Sequence, residues 1–533
     1  MKPESNPRMD RATLYLIAGT TPLDPTATPE VLGSKAYNLA RMAAIGLNVP
    51  PAFVLGTGFC VQSEPVAPDL WHDALAQLET ATGLALGDPR RPLLLSVRSG
   101  APVSMPGMME TLLNIGLTDE TLPGMVRQTG HPRLAWDAYR RLVSGFGEVV
   151  AGIDAAAFEA DLDDVRAGES ERQLDFAAQR EVTRRHLDTY RLHAGEPFPQ
   201  DARAQLQAAI AAVIGSWFSE KARSYRALRG LSDEMGTAVT VQRMVFGNGG
   251  GLSGAGVGFT RNPIDGAPSP WVDFLFNAQG EDVVSGRRSA EGHEALAAIA
   301  PAVWDDLLEA TQKLERHFGD MQDFEFTVQN GELFMLQTRD GKRSPQAAAS
   351  IALDMADEGL ISIETARLRT AGLSAADLTT TVLASEDGAT LTPVARAATA
   401  ASGVVSGEIA FDEARVRARK AAGTPVILVR RDAETRDISA LDLADGLLTR
   451  HGARTSHAAV VARQLGKVCL VGCEEMRIDE ARKRLNLAGH VFEEGALITL
   501  DGNSGLIYAG AAQIVELIPE ALLARLKALH QTA

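Results

Sequence analysis

The chain has 533 residues, of which 45% are hydrophobic, and its formal net charge is −16 at pH 7. That length is enough for two to four domains with separate cores. The acidic balance argues against nucleic acid or an anionic membrane as the main partner, and no run of about 18 apolar residues predicts a membrane span. The three cysteines and the absence of an apolar leader predict a cytoplasmic protein without disulfides.

Two basic side chains in the first hundred residues occupy positions that suit an anion. Lys35 opens a helix that we predict over 35–44, after Gly33, although a lysine at a helix start is usually only solvated. The apolar run 93–97 predicts a buried strand. Arg98 follows at its end, where open α/β sheets place groups that contact ligands. A structural ion pair would explain Arg98 equally well.

The stretch 119–235 has a mostly helical pattern. Trp136, Tyr139, Leu142 and Phe146 have helical spacing and are predicted to be core, while the adjacent Arg140 and Arg141 are ambiguous. The polar part, 161–203, predicts an exposed helical hairpin.

A glycine-rich segment follows the strand predicted over 237–245. Seven of the twelve residues from Gly247 to Gly258 are glycine, and such a loop lets backbone N–H groups approach phosphate closely. It is not a Walker motif, because no Gly-Lys-Ser/Thr follows. A flexible hairpin tip is an equally good interpretation. The next predicted strand, 274–281, ends in polar groups that include Glu281.

The segment 321–342 predicts a hairpin that turns at Asn330-Gly331. A two-residue turn would put Glu325 and Gln337 on opposite faces. A three-residue loop would gather Asp323, Glu325, Gln337 and Arg339 on one face and the aromatic residues on the other. We favour the three-residue loop because it buries the aromatics. Glu325 and Gln337 would then converge as oxygen ligands that suit Mg²⁺, although a half-exposed sheet explains the pattern equally well.

The second half of the chain contains a linker and a compact β/α unit. Residues 345–390 have a helical pattern and lead into the polar stretch 385–392, which could carry a hinge. Within 393–512 we predict strands near 425–430, 446–449, 468–471 and 497–500. The tail, 513–533, is predicted to be an amphipathic helix.

His457 is the candidate nucleophile of this β/α unit. Thr455 and Ser456 are good helix N-caps, and the apolar spacing after them ends at Gly466, so His457 should lie in the first turn of a helix. Free N–H groups and the positive helix end there stabilise a phosphoryl group and keep the imidazole neutral. A neutral imidazole can attack phosphorus and become a covalent carrier. A histidine that merely caps or packs would have the same pattern.

Six strings together resemble pyruvate phosphate dikinase, in the family's order and over nearly the whole chain. They are LGSKAYNLARMAAIGLNVPP, LSVRSGAPVSMPGMMETLLNIGL, VQRMVFGNGGGLSGAGVGFTRNP, NAQGEDVVSGRR, MQDFEFTVQNGELFMLQTRDGKR and RTSHAAVVAR. The resemblance implies an α/β (α+β) chain with an ATP-grasp nucleotide-binding domain and then a swivelling β/α phosphohistidine domain. The implied boundaries are 1–344 for the first domain, with a helical insertion at about 119–203, 345–392 for a linker, 393–512 for the second domain and 513–533 for a terminal helix.

The family's functional residues map onto this chain by motif. By resemblance, His457 is the phosphorylated histidine, and Lys35, Arg98 and Arg339 contact phosphates. The strand from Gln242 through Met244 to Val245 supplies the adenine side, and the loop from Gly247 to Gly258 covers the phosphates. By the same resemblance, the residues that bind magnesium and the nucleotide are Asp323, Glu325 and Gln337. Glu281 is a weaker candidate. The strings are more similar to the phosphate-dependent dikinase than to phosphoenolpyruvate synthase.

The chain also departs from the family pattern. It stops near the point where the family continues into a barrel that binds pyruvate or phosphoenolpyruvate, so we expect that barrel on a separate polypeptide. Smaller departures are Ser34 and Ala36, where the family prefers glycines, and Ala453-Arg454 before His457. Two alternatives stay open: a kinase for another small molecule, similar to rifampin phosphotransferase, and a nucleotide-binding regulatory subunit that does not turn over.

Overall fold

The computed structural model describes residues 13–20, 22–61, 66–103, 105, 108–168, 171–284, 291–384, 392–432, 437–452, 454 and 456–531. The chain divides into two compact units, one of Met1–Ser253 with Phe334–Thr338 and one of Gly254–Leu333 with Arg339–Ala533. The four predicted domain segments stay a prediction. In the part of the chain that is described, no helix has the length and apolar character needed to cross a membrane.

The first unit contains a five-stranded antiparallel sheet with the order β1-β2-β5-β3-β4. Its central strands are almost entirely buried, and β2 is apolar throughout, whereas β3 and β5 also carry polar residues. The strands are β1 (Leu14–Ile17), β2 (Ala52–Leu55), β3 (Leu95–Gly100), β4 (Thr111–Ile115) and β5 (Ala238–Arg243).

Helices complete the core of the first unit. Tyr139, Leu142 and Phe146 are buried as predicted, but the exposed hairpin predicted over 161–203 is wrong. Tyr190 lies in the core, with its ring centroid 6.4 Å from that of Phe146, because polar residues on the outer face masked a buried stripe. The helices are α1 (Pro29–Ala44), α2 (Gly58–Val61), α3 (Asp69–Thr82), α4 (Leu122–Thr129), α5 (Pro132–Val149), α6 (Ala155–Arg166), α7 (Phe176–Ala194), α8 (Ala202–Ser216) and α9 (Glu220–Arg229).

The second unit contains most of a five-stranded sheet with the order β10-β9-β6-β7-β8, in which residues 334–338 of β10 group with the first unit. Gly254, Gly256 and Gly258 lie in β6, so the predicted loop over 247–258 is wrong beyond residue 253. A Cβ added at these glycines would lie 2.2, 2.4 and 2.9 Å from phenylalanine ring carbons, so the glycines make room for aromatic packing. The strands are β6 (Gly254–Phe259), β7 (Trp271–Phe276), β8 (Glu291–Gly292), β9 (Gln322–Gln329) and β10 (Glu332–Asp340).

The turn between β9 and β10 differs from the register that we favoured. Asn330 and Gly331 both have positive φ, 54° and 82°, and β9 ends at Gln329 while β10 begins at Glu332. Two successive left-handed residues form a two-residue type I′ turn, so the predicted three-residue loop is wrong. Asparagine enters the left-handed region readily, and no third loop residue is needed.

The pairing of β9 and β10 shifts by one residue towards their open end. The N–H of Gly341 donates to the carbonyl of Met321 at 3.0 Å, whereas the turn register would pair residue 321 with residue 340. This shift brings Asp323 and Arg339 to the same face, where Arg339 Nε lies 2.9 Å from Asp323 Oδ2. For these two side chains, the predicted placement on one face is therefore confirmed despite the wrong turn.

Helices and a small ribbon connect the sheets of the second unit. The helical pattern predicted over 345–390 ends earlier, because residues 380–383 form β11 (Thr380–Leu383), which pairs with β23 (Ile514–Leu517). The predicted C-terminal helix begins only after β23, and the predicted hinge at 385–392 lies outside the described residues except for residue 392. The helices are α10 (Gly280–Val284), α11 (His293–Ile299), α12 (Pro301–Phe318), α13 (Pro345–Asp357), α14 (Ile363–Thr370), α15 (Ala375–Leu378), α16 (Glu413–Ala421), α17 (Ile438–Leu443), α18 (His457–Gln464) and α19 (Glu520–Gln531).

The remaining strands of the second unit build a β/α body. Eight strands have the order β12-β22-β21-β14-β15-β16-β17-β13, and a small sheet has the order β18-β19-β20. The four predicted strands are confirmed within one residue. The strands are β12 (Pro393–Arg396), β13 (Ala398–Ala401), β14 (Val404–Ala410), β15 (Val426–Arg430), β16 (Gly446–Thr449), β17 (Val468–Val471), β18 (Met476–Asp479), β19 (Arg484–Leu487), β20 (His490–Glu493), β21 (Leu497–Asp501) and β22 (Leu506–Ala509).

Candidate functional site

A close backbone crossing in the first unit holds the start of α1 against the end of β3. Gly33 has φ 72°, and a Cβ built on it would lie 1.8 Å from the carbonyl oxygen of Gly100. Next to it, the N–H and the Oγ of Ser34 both donate to the carbonyl of Ala101, at 3.0 and 3.1 Å. Only glycine fits this crossing. Ser34, noted above as a departure from the family, reinforces the contact.

This crossing places Lys35 and Arg98 on one side of β3. A Cβ added at Gly100 would lie 3.8 Å from the Cβ of Lys35. Residues 98 and 100 point to the same face because side chains alternate along a strand. Lys35 is exposed and Arg98 is half-buried. Both cationic side chains therefore lie on the same side of β3, and their predicted contact with ATP phosphates stays a prediction.

The strand segment predicted for the adenine side is already engaged within the first unit. Gln242 is buried, and its Nε2 donates to the carbonyl of Pro50 at 2.9 Å. The N–H of Met244 donates to the carbonyl of Leu94 at 2.8 Å, and Val245 is buried. Neither the amide nitrogen of Gln242 nor the N–H of Met244 is open to a nucleotide while these bonds persist.

A buried ionic cluster supports the glycine-rich loop, which spans 247–253. Asn248 Nδ2 lies 3.4 Å from Asp137 Oδ2, and Asp137 also pairs with Arg140 at 2.6 Å and Arg141 at 3.1 Å. Burial opposes the charge of Asp137, but the guanidinium groups of Arg141 and Arg140 outweigh it and hold the pKa of Asp137 below its ordinary value. The two ambiguous arginines thus have a structural role.

The second unit carries the acidic candidates. Burial raises the pKa of Asp323, and the guanidinium of Arg339 opposes that rise. Glu325 lies two residues further along β9 and is half-buried. Gln337 lies in the part of β10 that groups with the first unit, and it is also half-buried. Glu281 lies in α10, and its side chain is outside the described residues.

The chain segment around His457 has the predicted local structure. His457 is the first residue of α18, and Ser456 is its N-cap, with its hydroxyl accepting from the N–H of Ala459 at 3.4 Å. The predicted helix start is confirmed. The side chain of His457 and all of Ala453 and Thr455 lie outside the described residues. His451, at the start of the loop, has Nδ1 3.0 Å from Asp432 Oδ1.

Two arginines, one before α18 and one near its end, contact the sheet that contains β7. Arg454 Nε lies 2.8 Å from Asp273 Oδ1, and its Nη2 donates to the carbonyl of Val272 at 3.0 Å. The guanidinium carbon of Arg454 lies 4.6 Å from the ring centroid of Trp271. That of Arg463 lies 5.2 Å from the same ring. Both residues lie in the second unit with β7.

Sequence reasoning missed this set of contacts. Arg454 entered only as a departure from the family's loop, and Asp273 was not considered. One signal was available: Asp273 is the only charged residue of the strand sequence WVDFLF. A single carboxylate in a buried strand needs a cationic partner. The sequence does not identify that partner, because Arg454 is 181 positions away.

Comparison with protein families gives two matches along the chain. Residues 59–294 and 290–360 match the pyruvate phosphate dikinase, AMP/ATP-binding domain, which covers more than half of the chain. Residues 423–505 match the PEP-utilising enzyme, mobile domain. The first is an ATP-grasp-type nucleotide-binding domain, and the predicted fold class is confirmed.

Several curated proteins are similar to almost the whole chain. "Pyruvate, phosphate dikinase 2" of Zea mays is 41% identical over 491 residues, which are 90% of this chain and 56% of that protein. "Pyruvate, phosphate dikinase" of Clostridium symbiosum is 40% identical over 500 residues, 91% of this chain and 57% of that protein. The chain spans about half the length of these relatives.

Proposed function

Because the chain belongs to the pyruvate phosphate dikinase family, we propose that it carries out the nucleotide half of a dikinase reaction. His457 attacks the β-phosphorus of ATP, the bond to the α-phosphate oxygen breaks, and AMP leaves. The product is a pyrophosphoryl-histidine. Inorganic phosphate then attacks the terminal phosphorus and leaves as pyrophosphate, so that one phosphoryl group remains on His457. The observation that carries this proposal is the position of His457 at the start of α18 within the segment matched to the mobile domain.

The start of α18 suits a phosphoryl carrier. The N–H groups of the first helical turn have no partners within the helix, and the helix end is partly positive. The N–H of Ala459 already donates to the hydroxyl of Ser456. A phosphoryl group on His457 would find the remaining N–H groups nearby, and the same field disfavours protonation of the free imidazole. Both effects favour phosphorylation of this histidine.

Cationic side chains supply the charge stabilisation that phosphoryl transfer needs. Lys35 and Arg98 lie on one side of β3 and are assigned to the phosphates of ATP. Arg339, in the second unit, is also assigned to the phosphates of ATP. Its guanidinium forms an ion pair with the carboxylate of Asp323. Preorganised cations stabilise the charge that spreads over the equatorial oxygens during transfer.

The donor groups of Glu325 and Gln337 fit magnesium. A carboxylate and an amide oxygen are hard ligands of the kind that Mg²⁺ takes together with phosphate oxygens and water, and both side chains are half-buried. When bound, the ion would neutralise charge on the phosphates. Asp323, engaged by Arg339, is assigned to holding that arginine, and Glu281 remains a weaker nucleotide candidate.

The nucleotide itself is assigned to the first unit's sheet and loop. The segment from Gln242 to Val245 would line the adenine side through its backbone and apolar surface, since the Gln242 amide nitrogen and the Met244 N–H are occupied. The glycine-rich loop over 247–253 would cover the phosphates with its N–H groups. Asp137, through Asn248, would hold that loop in place.

Pyruvate is the proposed final acceptor of the phosphoryl group, in line with the names of the relatives. The expected separate barrel polypeptide finds no support in those relatives, which are single chains. We therefore do not assign the acceptor site to a particular polypeptide. A cytoplasmic location stays a prediction.

Mass spectrometry of the protein after incubation with Mg-ATP tests the proposal. With ATP alone, the peptide that contains His457 should gain two phosphoryl groups, and with ATP and phosphate it should retain one while pyrophosphate appears. His457→Ala should abolish both the labelling and the formation of AMP. Formation of AMP by this variant at the wild-type rate would refute the proposal.

A matched control comes from the same unit. His490 is an exposed histidine on β20, away from the segment around His457 in the chain, and His490→Ala should leave labelling and AMP formation unchanged. Loss of labelling in both variants would indicate general damage to the β/α body and not the loss of a carrier.

A further inference from the structure

Arg454 joins the mobile-domain part of the second unit to its nucleotide-binding part. It lies three residues before His457, whereas Asp273 and Val272 belong to β7, within the segment matched to the AMP/ATP-binding domain. Its guanidinium uses two nitrogens in this contact, with Nε on the Asp273 carboxylate and Nη2 on the Val272 carbonyl. A guanidinium that binds through two nitrogens fixes orientation as well as distance.

The carboxylate of Asp273 has Arg454 as a close cationic partner. Its side chain is 2% exposed, whereas that of Arg454 is 23% exposed. A carboxylate buried to this extent is strongly disfavoured without a cationic partner. Arg454 reaches it at 2.8 Å while keeping part of its own side chain in contact with solvent. The two partners therefore differ in burial. The Asp273 carboxylate is buried in β7, and the Arg454 guanidinium belongs to the partly exposed loop before α18.

Aromatic contacts extend the pair into a small patch. Arg454 lies over the ring of Trp271, and Arg463, one and a half turns into α18, lies over Trp271 and Phe259. Cations over aromatic rings gain most when they are desolvated, and Arg463 is 3% exposed. Two points of contact along α18, at its start and near its end, fix the helix in rotation as well as in position.

We propose that Arg454 is a positioning residue that docks the His457 segment on β7 for transfer from the nucleotide. This inference rests on the function proposed above. Three residues of extended chain reach at most about 10 Å, so a fixed Arg454 restricts where His457 can lie. Release of Arg454 from Asp273 would free the start of α18, and its side chain would then no longer cover Trp271.

Single-turnover transfer from β-labelled ATP to the protein tests this role. Arg454→Ala should lower the rate of labelling by on the order of 100-fold, the loss that small misplacement of a reacting group produces. The concentration of ATP that gives half the maximal rate should not change, because Arg454 is not placed at the nucleotide. Labelling at the wild-type rate would overturn the inference.

Two further variants separate positioning from damage to the fold. Arg454→Lys keeps the charge but not the two-nitrogen contact, so it should restore part of the rate. The double variant Arg454→Met with Asp273→Asn removes both charges of the pair, so the Asp273 carboxylate is not left buried without Arg454. This variant should fold, yet it should label as slowly as Arg454→Ala. Wild-type labelling by the double variant would overturn the inference. Arg482→Ala, which removes an exposed arginine paired with Asp479, is the matched control and should label normally.

Hydroxyl-radical footprinting reports docking without any turnover. Phe259 is 1% exposed. In protein incubated without ATP, Arg454→Ala and the double variant should increase the oxidation of Phe259, whereas Arg482→Ala should not. If the wild type never gains phosphorus on His457, the proposed function fails, and the footprint still tests docking. If the wild type is labelled but these variants match it in rate and footprint, the docking role fails and the proposed function stands.

Discussion

Two arginines of the second unit are buried to the same degree but lie in opposite electrostatic environments. Arg261, just after β6, is 2% exposed and forms paired hydrogen bonds to the carboxylates of Glu315 and Glu358. Arg463, on α18, is 3% exposed and donates to the carbonyl of Ala400 and to that of Arg454. The first cation forms ion pairs with two carboxylates. The second donates to backbone carbonyls and lies against aromatic rings, and the charges of Asp273 and Asp323 also favour its protonated form.

The pKa values of the two arginines move in opposite directions. Burial alone would lower the pKa of Arg261, but Glu315 and Glu358 outweigh it and raise the pKa above its ordinary value. Burial lowers the pKa of Arg463 to about 10. The same degree of burial thus stabilises or destabilises the charge according to the groups that face it.

The difference corresponds to two kinds of contact. Arg261 connects β6 to α12 and α13, all within one part of the second unit, and nothing in the proposed reaction requires these elements to separate. Arg463 lies on α18 against rings of β6 and β7, where separation would return its charge to water. Burying a charged guanidinium without a paired carboxylate costs free energy, so such a contact is easier to release than a buried ion pair. The comparison therefore distinguishes a permanent ion cluster from a contact suited to docking and release.

Arg261→Met should give the largest effect. It leaves Glu315 and Glu358 without their cation, and Glu315 is buried. Removing one partner of a buried ion pair costs roughly 3–5 kcal/mol. Urea denaturation of wild type and variant at pH 7 measures the loss. Glu358→Gln is the control and should cost less, since the Glu358 side chain is 42% exposed.

His186 extends the comparison to a buried base in the first unit. Its Nε2 lies 3.0 Å from the carbonyl oxygen of Phe158, and burial, followed by the charge of Arg140, lowers its pKa to about 4. The folded state keeps this imidazole neutral, whereas the unfolded chain gains a proton below pH 6.5. Its contribution to stability is therefore complete above pH 6.5 and falls by roughly 3 kcal/mol as the pH decreases to 4.

Unfolding free energies measured across this pH range check the direction and the size of the effect. His186→Gln should flatten the profile between pH 6.5 and 4. His193→Gln, on the exposed face of the same helix, should leave the profile unchanged. A wild-type profile that stays level from pH 6.5 to 4 would contradict the predicted burial of a neutral His186.

Arg463→Met should cost less than Arg261→Met. It leaves carbonyl groups of Ala400 and Arg454 unpaired, a loss of roughly 1–3 kcal/mol, but it also removes a buried charge. Methionine fills similar volume against the rings of Trp271 and Phe259. Denaturation under the conditions used for Arg261→Met gives the comparison directly. An equal or larger loss would show that Arg463 belongs to a permanent cluster and that the distinction drawn here is wrong.

Local patterns were sufficient for the elements that carry the proposed nucleophile. The strands at 446–449 and 468–471, the cap at Ser456 and the helix start at His457 were all predictable, because each depends on residues within one turn or strand. Motif resemblance supplied the proposed roles of Lys35 and Arg98. Their position on one side of β3 follows from the crossing of Gly33 and Gly100, which no local pattern reveals.

Features that depend on distant partners could not be predicted. Gly254, Gly256 and Gly258 have the composition of a phosphate loop, and only the facing phenylalanine rings show that they form a strand. β11 and β23 are short and weakly apolar, and each is a strand because the other pairs with it. The ion pair of Arg454 with Asp273 likewise joins residues that are 181 positions apart. In each case the deciding interaction is far away in the sequence.

Ser456→Ala should give the smallest effect and connects the docking contact to helix formation. The variant removes the hydroxyl that accepts from the N–H of Ala459, and an N-cap of this kind contributes about 1 kcal/mol. We expect a correspondingly small loss of stability and a labelling rate for His457 that falls by a few-fold at most, since Arg454 still anchors the loop on β7. Ser362→Ala, which removes the cap of α14, is the matched control and should lose similar stability without slower labelling. If Ser456→Ala slowed labelling as much as Arg454→Ala, the local cap and not the contact with β7 would determine the position of His457.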